Sequence, residues 1–264
     1  MAPAANHHGR TVIVHEMSAV TTPGACATSS GTMGGMSGDL DERLAKVEPC
    51  RDADELFDLG CDLADADRQL DAERCFRRAG ELGSAVAEFN LGNTLVLRES
   101  WEEAVAAYER ALAGGETTAW LNLGNVRQEL GDLVGAMDAF REASRVGDTF
   151  GTVSLAFCLR EQANLDQATA ALGEAVDAGN ETAVGVLACW EWNRTLDPAL
   201  EPALRAGADF HPSARADLAD LLRSTRRVEE ARDVLEQGAR LGEVESGCRW
   251  ATCTPTSWPT TTRR

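Results

Sequence analysis

Few residues of this sequence combine the type and the spacing that metal or acid–base chemistry requires. Three of its four histidines, His7, His8 and His15, lie in a stretch rich in Gly, Ser, Thr and Ala with no supporting cluster of carboxylates. The fourth, His211, precedes Pro212, and no serine or cysteine nucleophile in an elbow motif lies near it. The histidines therefore predict neither a metal site nor a catalytic base.

The eight cysteines show no CxxC pair and no Cys/His spacing of a structural zinc site. Four of them, Cys61, Cys75, Cys158 and Cys189, fall within apolar helical patterns, where a free cysteine behaves as a small apolar residue. We therefore expect free thiols in a reducing cytoplasm and no metal.

Motifs for nucleotide and protease chemistry are also absent, since the sequence contains no GxGxxG, no GxxxxGK[ST] and no HExxH. Acid pairs such as Glu102-Glu103 and Glu229-Glu230 fit a solvated outer helix face. We predict that the protein is not an enzyme and needs no cofactor.

The formal net charge of −18 gives an average surface that repels nucleic acid and anionic lipid headgroups. No apolar segment has the length of a signal-peptide core or of a membrane span. These observations predict a cytoplasmic protein with protein or peptide partners, and neither nucleic-acid nor membrane partners.

The composition, with 44% apolar and only 5% aromatic residues, favours packed helices over strands. Residues 1–37 are predicted to be a disordered tail, and Met17, Met33 and Met36 leave open a later start of translation. Residues 38–52 are expected to form a short lead-in helix, residues 53–243 a repeat domain, and residues 244–264 an irregular tail.

The repeat domain contains six copies of one pattern with a period of 32 residues, shortened to 31 at the last step. Its most regular marker is a leucine followed by a small residue. The copies are Leu59-Gly60, Leu91-Gly92, Leu123-Gly124, Leu155-Ala156, Leu187-Ala188 and Leu218-Ala219. A later aromatic or leucine position follows in Phe76, Tyr108, Phe140, Leu172 and Leu235. Apolar residues at i, i+3, i+4 and i+7 predict two helices in each copy.

Glycines mark the predicted end of the second helix in most copies, where they supply the left-handed residue of a C-terminal cap. These glycines are Gly83, Gly115, Gly147, Gly179 and Gly242. Ser84, Asp148 and Asn180 follow three of them and are strong N-cap residues. Stop and start signals are therefore adjacent, which predicts short linkers and a stacked solenoid.

The pattern resembles the tetratricopeptide repeat (TPR) family, best in the third copy with Trp120, Leu121, Gly124, Ala136 and Phe140. The units are two residues shorter than the family's 34-residue repeat, and glycine caps replace its terminal proline. Glu88 stands where the family has tryptophan. In the fifth copy Pro198 and Pro202 predict an irregular turn within residues 196–204. The longer units of Sel1-like repeats, the related alternative, fit less well.

The resemblance implies an all-α, right-handed superhelical solenoid of antiparallel helix hairpins. It also implies a protein-binding scaffold that holds a peptide or helix in a concave groove lined by the first helix of each copy. Carried over by position, the expected binding residues are Phe89, Asn90, Asn93, Leu97, Leu121, Asn122, Asn125, Phe157, Arg160 and Trp192. Acidic residues flank them at both ends, with Asp54, Asp58 and Asp65 at one end and Asp217 and Asp220 at the other, so we expect a partner with an apolar middle and basic flanks. Packing between neighbouring copies is the alternative role of Phe89 and Trp192.

Two further alternatives concern the C-terminus. Residues 244–264 change abruptly to Thr, Trp, Cys and Arg, as in an out-of-frame reading of a longer repeat gene, which would make the protein a truncated fragment. Without a capping helix, Leu218, Leu221, Leu222 and Leu235 would be partly bare. Self-association through the sixth copy, giving a homo-oligomer, is therefore the alternative function.

Overall fold

The structure, a computed structural model, describes residues 36–242, with side chains from residue 39 onward. Within this range it contains thirteen α-helices, one short 3-10 helix and no strand, so the all-α prediction is confirmed. The helices are α1 (Met36–Leu44), α2 (Ala53–Asp65), α3 (Gln69–Glu81), α4 (Ala85–Leu97), α5 (Trp101–Ala113), α6 (Ala119–Glu129), α7 (Leu133–Arg145), α8 (Thr149–Glu161), α9 (Leu165–Asp177), α10 (Glu181–Thr195), α11 (Glu201–Gly207), α12 (Pro212–Ser224) and α13 (Val228–Arg240).

The chain divides into two compact units between Val146 and Gly147. The N-terminal unit contains α1 to α7, and its hairpins α2/α3, α4/α5 and α6/α7 are the first three copies of the repeat. The C-terminal unit contains α8 to α13 and the last three copies. Helix α1 packs on α2, where Arg43 forms an ion pair of 2.7 Å with Asp62.

Each hairpin of the N-terminal unit depends on a glycine that faces an aromatic ring 16 residues later. A β-carbon built on the glycine would lie only 2.4–2.5 Å from a ring carbon. The three pairs are Gly60 with Phe76, Gly92 with Tyr108, and Gly124 with Phe140. Glycine is required here because any side chain would occupy the space that the ring fills.

The C-terminal unit uses a different pair of residues at the same two positions. The pairs are Ala156 with Leu172, Ala188 with Leu204, and Ala219 with Leu235, again 16 residues apart. All six side chains are buried, with at most 3% of their surface exposed. In these pairs alanine stands in place of glycine on the first helix, and leucine stands in place of the larger aromatic residue on the second. The total side-chain volume between the two helices therefore changes little.

The glycine caps and N-caps predicted between copies are confirmed. Gly83, with φ of 98°, has the left-handed conformation of a helix C-terminus, and the amide of Ser84 donates to the Ala79 carbonyl over 3.1 Å. The Ser84 hydroxyl accepts from the Ala87 amide, which opens α4. Asp148 and Asn180 cap α8 and α10 in the same way.

The irregular turn predicted in the fifth copy is also confirmed. Leu196 ends α10 with a left-handed φ of 52°, and a 3-10 helix spans Pro198–Leu200 before the short α11 begins. Glycines then allow α10 and α11 to touch at the backbone. A β-carbon built on Gly207 would lie 2.1 Å from the Cα of Gly185.

Glu88, the departure from the family pattern in the second copy, is buried and ion-paired. Its Oε1 accepts from Nε of Arg110 over 2.9 Å. Gly80 provides the space for this carboxylate, since a β-carbon there would lie 2.5 Å from Glu88 Oε1. The Oε2 atom is buried and has no hydrogen-bond partner among the described residues. A polar pair thus replaces the tryptophan of the family pattern.

The prediction of a bare apolar face in the sixth copy is wrong. Leu218, Leu221, Leu222 and Leu235 are each at most 2% exposed. They belong to a core that also contains Leu204 and Trp192, so the irregular fifth copy covers them. The sixth copy therefore has no bare leucine face through which the protein could self-associate.

Candidate protein-binding surfaces

The four asparagines predicted to bind a partner lie at equivalent positions of two neighbouring helices in the N-terminal unit. Asn90 and Asn93 are one turn apart on α4, and Asn122 and Asn125 are one turn apart on α6, so each pair shares a helix face. All four side chains are partly exposed. We call these four residues the asparagine surface.

A buried tyrosine orients the central asparagine of this surface. Tyr108, which is 1% exposed, donates its hydroxyl to Oδ1 of Asn93 over 2.8 Å. Burial raises the pKa of this phenol well above its ordinary value, so the hydroxyl keeps its proton and remains a donor. Asn122 donates its Nδ2 to the same Oδ1 over 2.9 Å. Two donors on one oxygen leave the Asn93 amide nitrogen directed away from them.

The remaining asparagine groups differ in how far the protein itself uses them. Asn90 donates its Nδ2 to the Val86 carbonyl of its own helix over 2.9 Å, which leaves its oxygen available. Asn125 makes no side-chain hydrogen bond to a described residue, because Phe140 stands in its hairpin where Tyr108 stands beside Asn93. The surface therefore offers both donors and acceptors to a partner.

Three residues predicted to face the groove are buried instead. Phe89, Leu121 and Trp192 are 5%, 3% and 5% exposed. The Phe89 ring packs against Tyr108 with centroids 6.0 Å apart, and Trp192 belongs to the core of the C-terminal unit. Leu97, in contrast, is 71% exposed at the end of α4.

The acidic flank predicted on α2 is exposed. Asp54, Asp58 and Asp65 have exposed side chains, and none forms an ion pair with a residue in the part of the chain that the structure describes. Asp54 and Asp58 are one helical turn apart, so their carboxylates share a face. This side of the N-terminal unit would attract a basic group.

In the C-terminal unit, the structure brings Phe157 and Arg160 of α8 together with Trp190 of α10. The rings of Phe157 and Trp190 meet edge to face, with centroids 5.5 Å apart and planes at 85°. The Arg160 guanidinium carbon lies 4.6 Å from the centre of the Trp190 ring, a cation–π contact. Trp192, the tryptophan predicted to bind a partner, is buried, and Trp190 is the one that contacts Arg160.

A signal for the role of Tyr108 was present in the sequence. It is the single tyrosine of the chain and occupies a repeat position held by phenylalanine in the copies on either side. A hydroxyl at a position that otherwise selects a plain ring indicates a hydrogen bond. No comparable signal distinguishes Trp190 from Trp192.

The buried cysteines described next are unreactive thiols at neutral pH. One other cysteine differs from the prediction of a free thiol. Burial raises the pKa of the Cys75 and Cys158 thiols to about 11, so both stay protonated and unreactive at neutral pH. Cys189 is also a buried thiol outside any disulfide. The expectation of a free thiol is wrong for Cys61, which takes part in a disulfide bond.

Within residues 36–242 no cluster of three or more His, Cys, Asp and Glu side chains has the arrangement of a metal site. Among the described helices none has both the length and the apolar character needed to cross a membrane. His211 occupies the N-cap position of α12 without a side-chain cap.

No known family model matches the sequence, and a comparison with curated protein sequences found no match. Solved structures are similar in fold. PilF of Pseudomonas aeruginosa superposes with a TM-score of 0.62 at 17% identity, covering 81% of this chain and 99% of PilF. The protective antigen c5321 of uropathogenic Escherichia coli, described as displaying an SLR fold, superposes with a TM-score of 0.62 at 23% identity, covering 80% of this chain and 50% of c5321.

A further neighbour is Cut9 in its complex with Hcn1 from the APC/C, with a TM-score of 0.59 at 12% identity over 83% of this chain and 46% of that chain. At these identities the likeness concerns the fold. Together with the six hairpin copies, the glycine caps and the small residues that face a ring or leucine, it identifies the chain as a helical repeat protein with the tetratricopeptide and Sel1-like repeat fold.

Proposed function

We propose that this protein is a non-enzymatic scaffold whose N-terminal unit binds an extended peptide segment of another protein on the asparagine surface. The observation that carries the proposal is the orientation of Asn93. Its oxygen is occupied by Tyr108 and Asn122, so its amide nitrogen is presented as a donor. A fixed donor loses little conformational entropy on binding, which favours affinity.

The neighbouring groups extend this donor into a peptide site. Asn125 can donate to and accept from a peptide backbone, which holds a segment without reading its side chains. The exposed Leu97 supplies an apolar contact one turn after Asn93. Asp54, Asp58 and Asp65 on α2 then favour a basic residue on one flank of the bound segment.

The proposal predicts that Asn93→Ala/Asn125→Ala weakens peptide binding about ten-fold, since each lost hydrogen bond contributes about 0.5–1.5 kcal/mol. The probe is an array of random 15-residue peptides, from which the wild-type protein selects binders whose affinities are then measured by calorimetry. Asn164→Ala is the matched control, because Asn164 is exposed and makes no side-chain hydrogen bond to a described residue. N-methylation of the bound peptide's backbone should reproduce only the part of the loss due to the Asn125 oxygen, because it removes peptide N–H donors and leaves the carbonyls that accept from Asn93.

A second variant separates orientation from contact. Tyr108→Phe retains the ring against Gly92 and removes only the hydroxyl that holds Asn93. We expect a smaller loss of affinity, about three-fold, with unchanged helicity by circular dichroism. Peptides that bind the double variant as tightly as the wild type, or an array that yields no binder, would contradict the proposed function.

A further inference from the structure

Several arginines of the C-terminal unit form ion pairs with carboxylates of the same unit. Arg194, Arg205 and Arg227 each form an ion pair of 2.6–2.8 Å with a glutamate. Arg160 differs, since it has no carboxylate within 4.0 Å among the described residues although the chain carries a net charge of −18. Glu191, on the same helix as Trp190, pairs with Arg194 instead.

Arg160 is held by stacking on an aromatic ring instead of by an ion pair. Its guanidinium lies over the Trp190 ring at 4.6 Å, and Phe157 supports that ring from the side at 5.5 Å. Arg160 is exposed, whereas both rings are partly buried. A guanidinium stacked by its face keeps its N–H edges free, and these edges match the two oxygens of a carboxylate.

Asn193 does not supply a second donor beside Arg160. Asn193, one turn after Trp190, donates its Nδ2 to the Cys189 carbonyl over 2.8 Å and to Oδ2 of Asp217 over 3.0 Å. Both of its amide hydrogens are therefore engaged. Arg160 and the rings of Phe157 and Trp190 remain as one apolar surface with a single positive edge, and tryptophan and arginine are the residue types enriched among binding hot spots.

We propose that Phe157, Arg160 and Trp190 form a second binding surface, the aromatic–arginine surface. It takes a partner segment in which an aspartate or glutamate stands beside a large apolar residue. The apolar side chain packs on the rings, and the carboxylate accepts two hydrogen bonds from the Arg160 edge. The preferred charge is opposite to that of the asparagine surface, whose flank is acidic, so the two surfaces select different segments.

The test uses fluorescently labelled, end-blocked 12-residue peptides with a central Leu-Glu, paired with peptides identical except for Leu-Gln. Fluorescence anisotropy with the full chain should show the Leu-Glu peptides bound about ten-fold more tightly, because a charge-assisted bidentate pair is lost with glutamine. Raising the salt concentration from about 0.05 M to about 0.5 M should reduce this preference, because added ions screen the attraction between the two charges.

Variants assign the preference to the surface. Arg160→Gln should abolish it, and Arg160→Lys should retain only part, because an ammonium group is a point charge without the planar fork. Arg226→Gln is the matched control, since Arg226 also lacks an ion pair among the described residues and lies elsewhere in the same unit. Asn93→Ala/Asn125→Ala should leave the preference unchanged, which separates this surface from the proposed peptide site.

Four outcomes would overturn the inference. The wild-type protein could bind both peptides equally or bind neither. The preference could survive Arg160→Gln. It could also fall as much in Arg226→Gln, which would indicate a general charge effect.

Discussion

Gly207→Ala is expected to destabilise the C-terminal unit by about 3 kcal/mol, the upper end of the range for overpacked sites. A β-carbon at this position would lie 2.1 Å from the Cα and 2.7 Å from the amide nitrogen of Gly185. Both are backbone atoms of α10, so no side-chain rotation relieves the clash and α11 must move away. The measurement is the urea midpoint by circular dichroism, compared at equal slope.

A second glycine of the same unit provides the control. Gly173 lies inside α9, and a β-carbon there would meet no atom within 4 Å. Gly173→Ala should therefore stabilise the protein by about 0.5–1 kcal/mol, because alanine loses less backbone entropy in a helix. Equal shifts of the two midpoints, or a stable Gly207→Ala variant, would show that α10 and α11 do not touch as described.

Gly92→Ala is expected to cost about 2 kcal/mol in the N-terminal unit. The new methyl group would lie 2.4 Å from Cε1 of Tyr108, and this ring is buried on all sides. Its hydroxyl is also held by Asn93, so the ring cannot swing away without losing that hydrogen bond. The variant should therefore lower both thermal stability and peptide affinity.

The alanine–leucine pairs of the C-terminal unit suggest how to restore that stability. Tyr108→Leu alone should destabilise the protein, because it leaves a cavity beside Gly92. Adding Gly92→Ala in that background should then stabilise it, giving the combination that occurs as Ala156 and Leu172. A double-mutant cycle should yield a coupling of about 2 kcal/mol. Additive effects would rule out direct contact between the two positions.

The order of elements could be predicted from the sequence because its determinants are local. Apolar residues at helical spacing define each helix, and a left-handed glycine followed by Ser84, Asp148 or Asn180 ends one helix and begins the next. Proline fixes its own φ and lacks an amide donor, so Pro198 and Pro202 predicted the irregular fifth copy. Each of these signals acts within a few residues of where it stands.

The candidate surfaces could be predicted only in part. Periodicity placed Asn90, Asn93, Asn122 and Asn125 on the first helices of their copies, where the structure has them partly exposed. Periodicity could not predict whether a side chain at the border of the apolar stripe would be buried or exposed. Phe89 and Leu121 precede asparagines directly, and both are buried, Phe89 against the Tyr108 ring. Their role in binding was therefore predicted from position alone.

What the sequence determined by itself is the set of six hairpin copies with their caps, since helix periodicity, glycine conformation and proline geometry are properties of short segments. The tertiary structure alone decided that Tyr108 orients Asn93, that Trp190 rather than Trp192 meets Arg160, and that the sixth copy's leucines are covered. Each of these depends on groups from different helices meeting in space. Spacing along the chain gives the face of one helix, but the partner that covers that face comes from packing between helices.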